Sequence, residues 1–397
     1  MVSPNPLQAA QRQLERDRDA TSTFPSLLAR KVGRMAGSPL AYLRGTAPLF
    51  YELLGEHPEL AEGPAGEGWL VGDAHLENFG AFRCADSQDG ESVVFDVNDF
   101  DEAIIGPFRW DVVRLLTSVI LAGRELGSNG KQSVLLCSAI LDGYVRALAT
   151  GDVPTDAPAA VRRLLEKVEQ RKPKDLLDDR TERVHGGRRF VRGDRYPELA
   201  PELVPKAHAA FATYVERLDP EKKLARERFA VEDVAFRVAG CGSLGTLRIA
   251  VLTRGKGEID SGWVFDMKAE GAPSAQVLLG APKLAPAERV RTAAITCLVH
   301  PPRMTGTTEL DGQSLFVRRL LPQEDKLDLA HLRAEDLPDL ARYLGALLGR
   351  VHARGVQSPP AQRWTSADLT ALTEHAIVIA GLHEAAYLAM CHSLPAT

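Results

Sequence analysis

Apolar residues recur every three or four positions over 110–122, 131–148, 286–298 and 337–354, a period that predicts amphipathic helices. Residues 24–54 read the same way, interrupted at Ser38-Pro39, whereas 8–19 are polar nearly all round and predict a surface helix without chemistry. Strands carry a different signature. Short β-branched and aromatic runs at 93–97, 246–252, 263–268 and 314–320 are bounded by turn-forming residues. The last of them runs into Pro322, as an edge strand that becomes a hinge does. A charged, proline-broken stretch begins at Gly151, and within it His185-Gly186-Gly187-Arg188 predicts a hairpin turn.

Grouped by type, these elements predict an α+β fold with two lobes around one cleft. A helical lobe spans 1–230, a small, mostly antiparallel β lobe spans 231–322, and 323–397 return to the helical lobe. A length of 397 residues suits this division, at about 150 residues per unit. With 45% hydrophobic and 25% charged residues the composition is that of a globular protein, and a net charge of −5 gives no electrostatic basis for binding nucleic acid. The five cysteines, Cys84, Cys137, Cys241, Cys297 and Cys391, are scattered, which predicts reduced thiols. The polar N-terminus lacks the apolar core of a signal peptide, and no stretch reaches the roughly 18 uninterrupted apolar residues of a membrane span. The expectation is a cytoplasmic protein with no membrane contact.

The chemistry concentrates where strands give way to acidic turns. Gly72-Asp73-Ala74-His75-Leu76-Glu77-Asn78-Phe79-Gly80 is followed by Asp96-Val97-Asn98-Asp99-Phe100-Asp101-Glu102. The spacing of Asp73 and Asn78 is that of a kinase catalytic loop, in which the Asp takes a hydroxyl proton and the Asn holds Mg²⁺. Asp99 is then the second metal ligand. A hard cation bridges phosphates, and a separate carboxylate orients the attacking hydroxyl.

Downstream, Gly240-Cys241-Gly242-Ser243-Leu244-Gly245 is followed by a strand and not by a helix or a Gly-Lys-Thr sequence. Strand, glycine turn, strand predicts a flap over phosphates, with Gly240, Gly242, Ser243 and Gly245 as nucleotide contacts. Lys268 ends the next strand as the phosphate clamp, Glu288 in the following helix is its expected partner, and Arg318 joins them from 314–320. Arg44, just before Gly45, is placed to meet a phosphate or one of the acidic residues.

These motifs resemble a bacterial family described as a domain of unknown function, whose members carry Ser-Pro-x-x-x-x-Arg-Gly, Gly-Asp-x-His-x-x-Asn-Phe-Gly, Asn-Asp-Phe-Asp-Glu, Gly-Pro-x-x-Trp-Asp and Gly-x-Gly-Ser-x-Gly-Thr. The resemblance runs from about Met35 to His352 and is poor between Gly151 and Val234. That family looks like the aminoglycoside phosphotransferase and choline kinase branch of the protein-kinase-like fold. The resemblance implies Asp73 as catalytic base, Asn78 and Asp99 as metal ligands, the flap and Lys268 on the phosphates, and Asp111 as a brace for the catalytic loop. Val71 stands where phosphotransferases have His. The flap, the Lys and a Leu-x-x-x-His helix follow the catalytic loop where kinases place them before it, so a circular permutation is implied, with 344–352 as the helix leading into that loop.

The reading that unites these features is an ATP- and Mg²⁺-dependent phosphotransferase acting on a hydroxyl of a small molecule. Two rivals remain: a metal-dependent hydrolase built on Asp73, His75, Asp96, Asp99 and Asp101, and a nucleotide-binding pseudokinase without turnover. The kinase-like reading requires the flap and Lys268 to face Asp73 and Asp99 across one cleft, and the helix ending at His352 to finish beside the strand entering Gly72.

Overall fold

The computed structural model describes residues 5–84, 93–218, 226–257, 260–302 and 304–394. The chain opens with α1 (Pro6–Ala20), α2 (Ser26–Met35), α3 (Pro39–Gly45), α4 (Ala47–Glu56) and the single turn α5 (Pro58–Ala61). Then come β1 (Glu67–Leu70), β2 (Phe79–Arg83), β3 (Val93–Val97), β4 (Ile104–Pro107), α6 (Phe108–Leu121), α7 (Gly130–Thr150) and α8 (Ala159–Glu169). The middle comprises α9 (Pro173–Arg180), β5 (Thr181–Val184), β6 (Gly187–Phe190), α10 (Leu203–Arg217), β7 (Val231–Phe236), β8 (Arg248–Thr253) and β9 (Trp263–Ala269). The remainder is α11 (Gln276–Leu279), α12 (Pro286–Cys297), β10 (Gly306–Leu310), β11 (Gln313–Leu320), β12 (Asp325–Lys326), α13 (Leu337–Gly355), β13 (Val356–Ser358) and α14 (Ser366–Ser393). The protein is α+β, and its strands pair antiparallel in small sheets.

Five strands in the order β10-β11-β9-β8-β7 form the largest sheet. Alternation along β9 sorts its two faces. Trp263, Phe265 and Met267 join one core with Phe211 and Tyr214 of α10, whereas Asp266 and Lys268 face the cleft. Two expectations are corrected here. β11 lies between β10 and β9, so the strand ending before Pro322 is internal, and its alternating Leu315 and Val317 explain why: both are buried in the core under α10. The lobe boundary at 230 also moves. Leu177, Phe190 and Tyr196 pack on Val264 and Leu320, and α10 on the opposite face, so the segment from α9 to α10 belongs with the sheet.

The helical lobe is built on α6, α7, α13 and α14. Gly143 and Gly345 let α7 and α13 touch backbone to backbone, and a Cβ on Gly345 would lie 2.0 Å from the Ile140 carbonyl oxygen. By length and composition α7 and α14 could each cross a membrane, and here each lays one side on the helical core. At its C-terminal end α13 runs straight into β13, which pairs with β1, Val356 opposite Gly68. The helix ending at His352 therefore finishes beside the strand entering Gly72.

Candidate functional site

β1 delivers the chain to a turn at Val71-Gly72, where Gly72 takes φ 82° and a Cβ would lie 2.0 Å from the Glu102 carbonyl oxygen. Asp111, fully buried in the first turn of α6, accepts the Val71 N–H at 2.6 Å and the Gly72 N–H at 3.0 Å. His352 completes the brace from α13. Its Nε2 lies 3.1 Å from Asp111, its Nδ1 2.8 Å from the Tyr144 hydroxyl, and its ring stacks on Phe108 at 4.4 Å. Val71 joins this brace through its N–H, and His352 reaches the same carboxylate from the other end of the sequence.

Asp73 projects from this turn. Arg114, one helical turn beyond Asp111 and fully buried, donates Nε to Asp73 Oδ1 at 2.6 Å and Nη2 to the Leu43 carbonyl at 3.0 Å. Burial pushes the Asp73 carboxyl up to about 7, Arg114 opposes the rise, and the charges of Glu102 and Asp99 add to it. His75 accepts the Glu77 N–H on Nδ1 at 3.1 Å, which leaves Nε2 3.7 Å from Asp73 Oδ2. Burial holds this imidazole well below its usual pKa and therefore neutral.

The two acidic loops are tied together. Asn78 donates Nδ2 to the Asp73 carbonyl at 2.6 Å, and Asn98 N–H donates to the Asn78 carbonyl at 3.0 Å. Asp99 accepts the Asp101 N–H on Oδ1 at 3.2 Å. Asn78 Oδ1 and Asp99 Oδ2 are thus the oxygens left over, and both residues line the cleft. These two oxygens are the ones that could hold a divalent cation. Among the described residues no three His, Cys, Asp or Glu side chains converge as a cage.

Across the cleft sits the glycine turn. Gly240 and Gly245 take φ 79° and 100°. Two of its carbonyls accept from α2, Gly242 from Lys31 Nζ at 3.0 Å and Gly240 from Arg34, while a Cβ on Gly245 would lie 2.3 Å from the Ala20 carbonyl oxygen. Lys31 is itself paired with buried Asp17 at 2.8 Å. The N-terminal helix expected to carry no chemistry is consequently a wall of the site, with Gln13, Arg16 and Asp17 facing the cavity. One cavity of about 950 Å³ holds Asp73, His75, Asn78, Asp99 and Asp101 on one side and Gly240, Gly242, Ser243, Gly245 and Lys268 on the other.

Five expected residues are placed as follows. Lys268 contacts Asp101 and lies 3.4 Å from Glu270, not Glu288. Glu288 meets Arg291 at 3.1 Å and Thr307 at 3.4 Å, because the side of α12 turned to the acidic loop presents Arg289, which donates to the Asp101 carbonyl at 2.8 Å. Asp96 is paired with Arg350 at 2.6 Å and lines neither this cavity nor the one behind Lys268. Arg44 pairs with Glu77 at 2.6 Å on the cavity rim. Arg318 reaches the cleft face of the sheet beside Asp266.

Arg114 and Glu270 are absent from the sequence-based site. Burial pushes the Glu270 carboxyl up to about 7 against the pull of Lys268, with Asp99 adding to the rise. A period of two carries the signal for Glu270, which shares the face of β9 with Lys268. Arg114 stands one turn beyond Asp111, and only the fold shows that its face is turned to Asp73.

The profile of a family described as "Uncharacterized protein conserved in bacteria (DUF2252)" matches residues 23–392. No curated protein and no solved structure gives a significant match. The match spans both lobes and every residue named in the cleft from Lys31 to Lys268, and the chain belongs to this DUF2252 family of bacterial proteins.

Proposed function

We propose that the protein is a Mg²⁺-dependent phosphotransferase that moves a terminal phosphoryl group from a nucleoside triphosphate such as ATP to a hydroxyl of a small molecule. One observation carries this reading: the glycine turn and Lys268, far downstream in the chain, face Asp73, Asn78 and Asp99 across a single cavity. In the step, the acceptor oxygen attacks the γ-phosphorus in line, and the bond from that phosphorus to the β–γ bridging oxygen breaks. The electron pair leaves on the diphosphate, and the hydroxyl proton passes to Asp73 Oδ2 while Arg114 keeps Oδ1 in place. Lys268 exchanges Asp101 for phosphate oxygens. Asn78 and Asp99 would hold the Mg²⁺, whose charge offsets that of the phosphates when bound.

The same reading takes the fold as kinase-like and circularly permuted. Its support is the junction of α13 and β13 with β1, which sets the His352 helix directly before the Asp73 turn in space. The hydrolase alternative loses Asp96 to Arg350. A binding-only pseudokinase gains one observation, the buried Arg114 held on Asp73. A thermal-shift screen of nucleotides with and without Mg²⁺, followed by single-turnover transfer to a panel of hydroxylated acceptors, separates the readings. Mg²⁺-dependent stabilisation with transfer supports the phosphotransferase, stabilisation by metal alone supports the hydrolase, and nucleotide binding that yields no transfer supports the pseudokinase.

A further inference from the structure

The cleft face of the five-stranded sheet is divided along its length. At one end Ala235, Ala250, Leu252, Val264 and Leu320 form an apolar surface, and the chain covers it with its own Leu177, Phe190 and Tyr196. Those three side chains are buried, with Phe190 stacked on Tyr196 at 4.7 Å. This is the work of the segment from α9 to α10. The flat apolar surface on which a nucleobase would lie is thereby spent inside the protein.

What stays open on that face is charged. Arg248 donates Nε to Asp266 Oδ1 at 2.8 Å, Arg237 Nη1 lies 2.6 Å from Asp266 Oδ2, and Arg318 Nε lies 3.9 Å from the same oxygen. Glu324, 3.4 Å from Arg318, is the second carboxylate, so three guanidiniums share two acids on this face of the sheet. Burial opposes ionisation of Asp266, yet Arg237 and Arg248 hold its carboxyl far below the usual range, so it stays an anion among them. Arg318 is the most open of the three, with 27% of its side chain exposed.

Of these side chains Arg248, Asp266 and Arg318 line a cavity of about 120 Å³ that shares Asp99, Asp101, Gly240, Ser243 and Lys268 with the main cavity. That volume takes a phosphate group and not a nucleoside, since pockets for drug-sized ligands run to roughly 300–1,000 Å³. A planar guanidinium fork is suited to phosphate oxygens.

We infer that the phosphoryl donor is recognised through its phosphate chain, one phosphate seated against Arg318 and Arg248 beside Lys268, with little reading of its base. The donor class is then nucleoside triphosphates in general, and inorganic triphosphate occupies the same seat. This rests on the phosphotransferase reading above and narrows it.

Calorimetry with the intact protein and Mg²⁺ tests it, using ATP, GTP, CTP, UTP and sodium tripolyphosphate. The expected result is four nucleotides within about threefold of one another in Kd, displacement of each by tripolyphosphate, and a loss of about tenfold or more for all of them in Arg318→Gln, the weight of a charge-assisted hydrogen bond. Preference for one base above tenfold, or tripolyphosphate that fails to compete, overturns the inference and leaves the phosphotransferase standing. Arg318→Gln binding as tightly as wild type removes the proposed seat. If none of the five ligands binds, the inference and the phosphotransferase reading fall together. The base panel and the competition use the unmodified chain, so they decide the matter even where the variant does not fold.

Discussion

Asp73 and Asp99 share a cleft but not an environment, and their substitutions separate accordingly. Asp99 keeps one oxygen free of the Asp101 N–H, so Asp99→Ala should abolish Mg²⁺-dependent stabilisation by nucleotide in a thermal-shift assay. Retention of that effect would remove Asp99 from the metal. Asp73→Asn should instead bind nucleotide and slow transfer by about 10²–10⁴. Because the carboxyl is raised to about 7, its basic form accumulates as pH rises through that value, and the transfer rate should rise with it and flatten above. The Asn variant should lack that limb. The stability sign runs the other way. An Asp ionises near 3.9 when unfolded, so the fold is favoured below that pH and loses stability as pH climbs through about 7. Melting temperatures between pH 4 and 8 should therefore fall less for Asp73→Asn than for wild type.

Among the elements, α7 and α13 set the position of His352, and their crossing depends on glycine. Gly345→Ala puts a methyl 2.0 Å from a carbonyl oxygen and should cost about 1–3 kcal/mol in urea unfolding. Gly381 on α14 has nothing within 4 Å, and there the same change should stabilise by roughly 0.5–1 kcal/mol, the helix-propensity gain alone. Equal effects at the two sites would contradict the close crossing. Some helices and strands were legible from periodicity, which predicts 337–354 where α13 runs Leu337–Gly355 and 263–268 where β9 runs Trp263–Ala269, whereas α8, α9, α10 and α14 were not read from it. Orientation was less so. Glu288 and Arg289 are adjacent in an amphipathic helix, and which of them faces the acidic loop depends on how α12 is rotated against β10 and β11, a property of packing and not of the helix.

For the whole molecule, the cleft predicts a pattern in hydrogen exchange. Nucleotide with Mg²⁺ should protect 71–78 and 99–101 together with 240–247 and 268–270, since all of these segments contribute to one cavity, and protection on only one side would mean that the ligand does not bridge the lobes. The sequence by itself determined the local pieces: strand ends that carry Asp73 and Asp99, a glycine turn between strands, and the α+β character, because each depends on spacing within a few residues. Tertiary structure alone decided who meets whom. Lys268 is paired with Asp101 and Glu270, Asp96 is drawn away to Arg350, His352 braces the turn at Val71, and the segment from α9 to α10 covers the apolar end of the sheet. Each of these joins residues whose distance in space is set by how helices and sheets stack, and side-chain period carries no record of that distance.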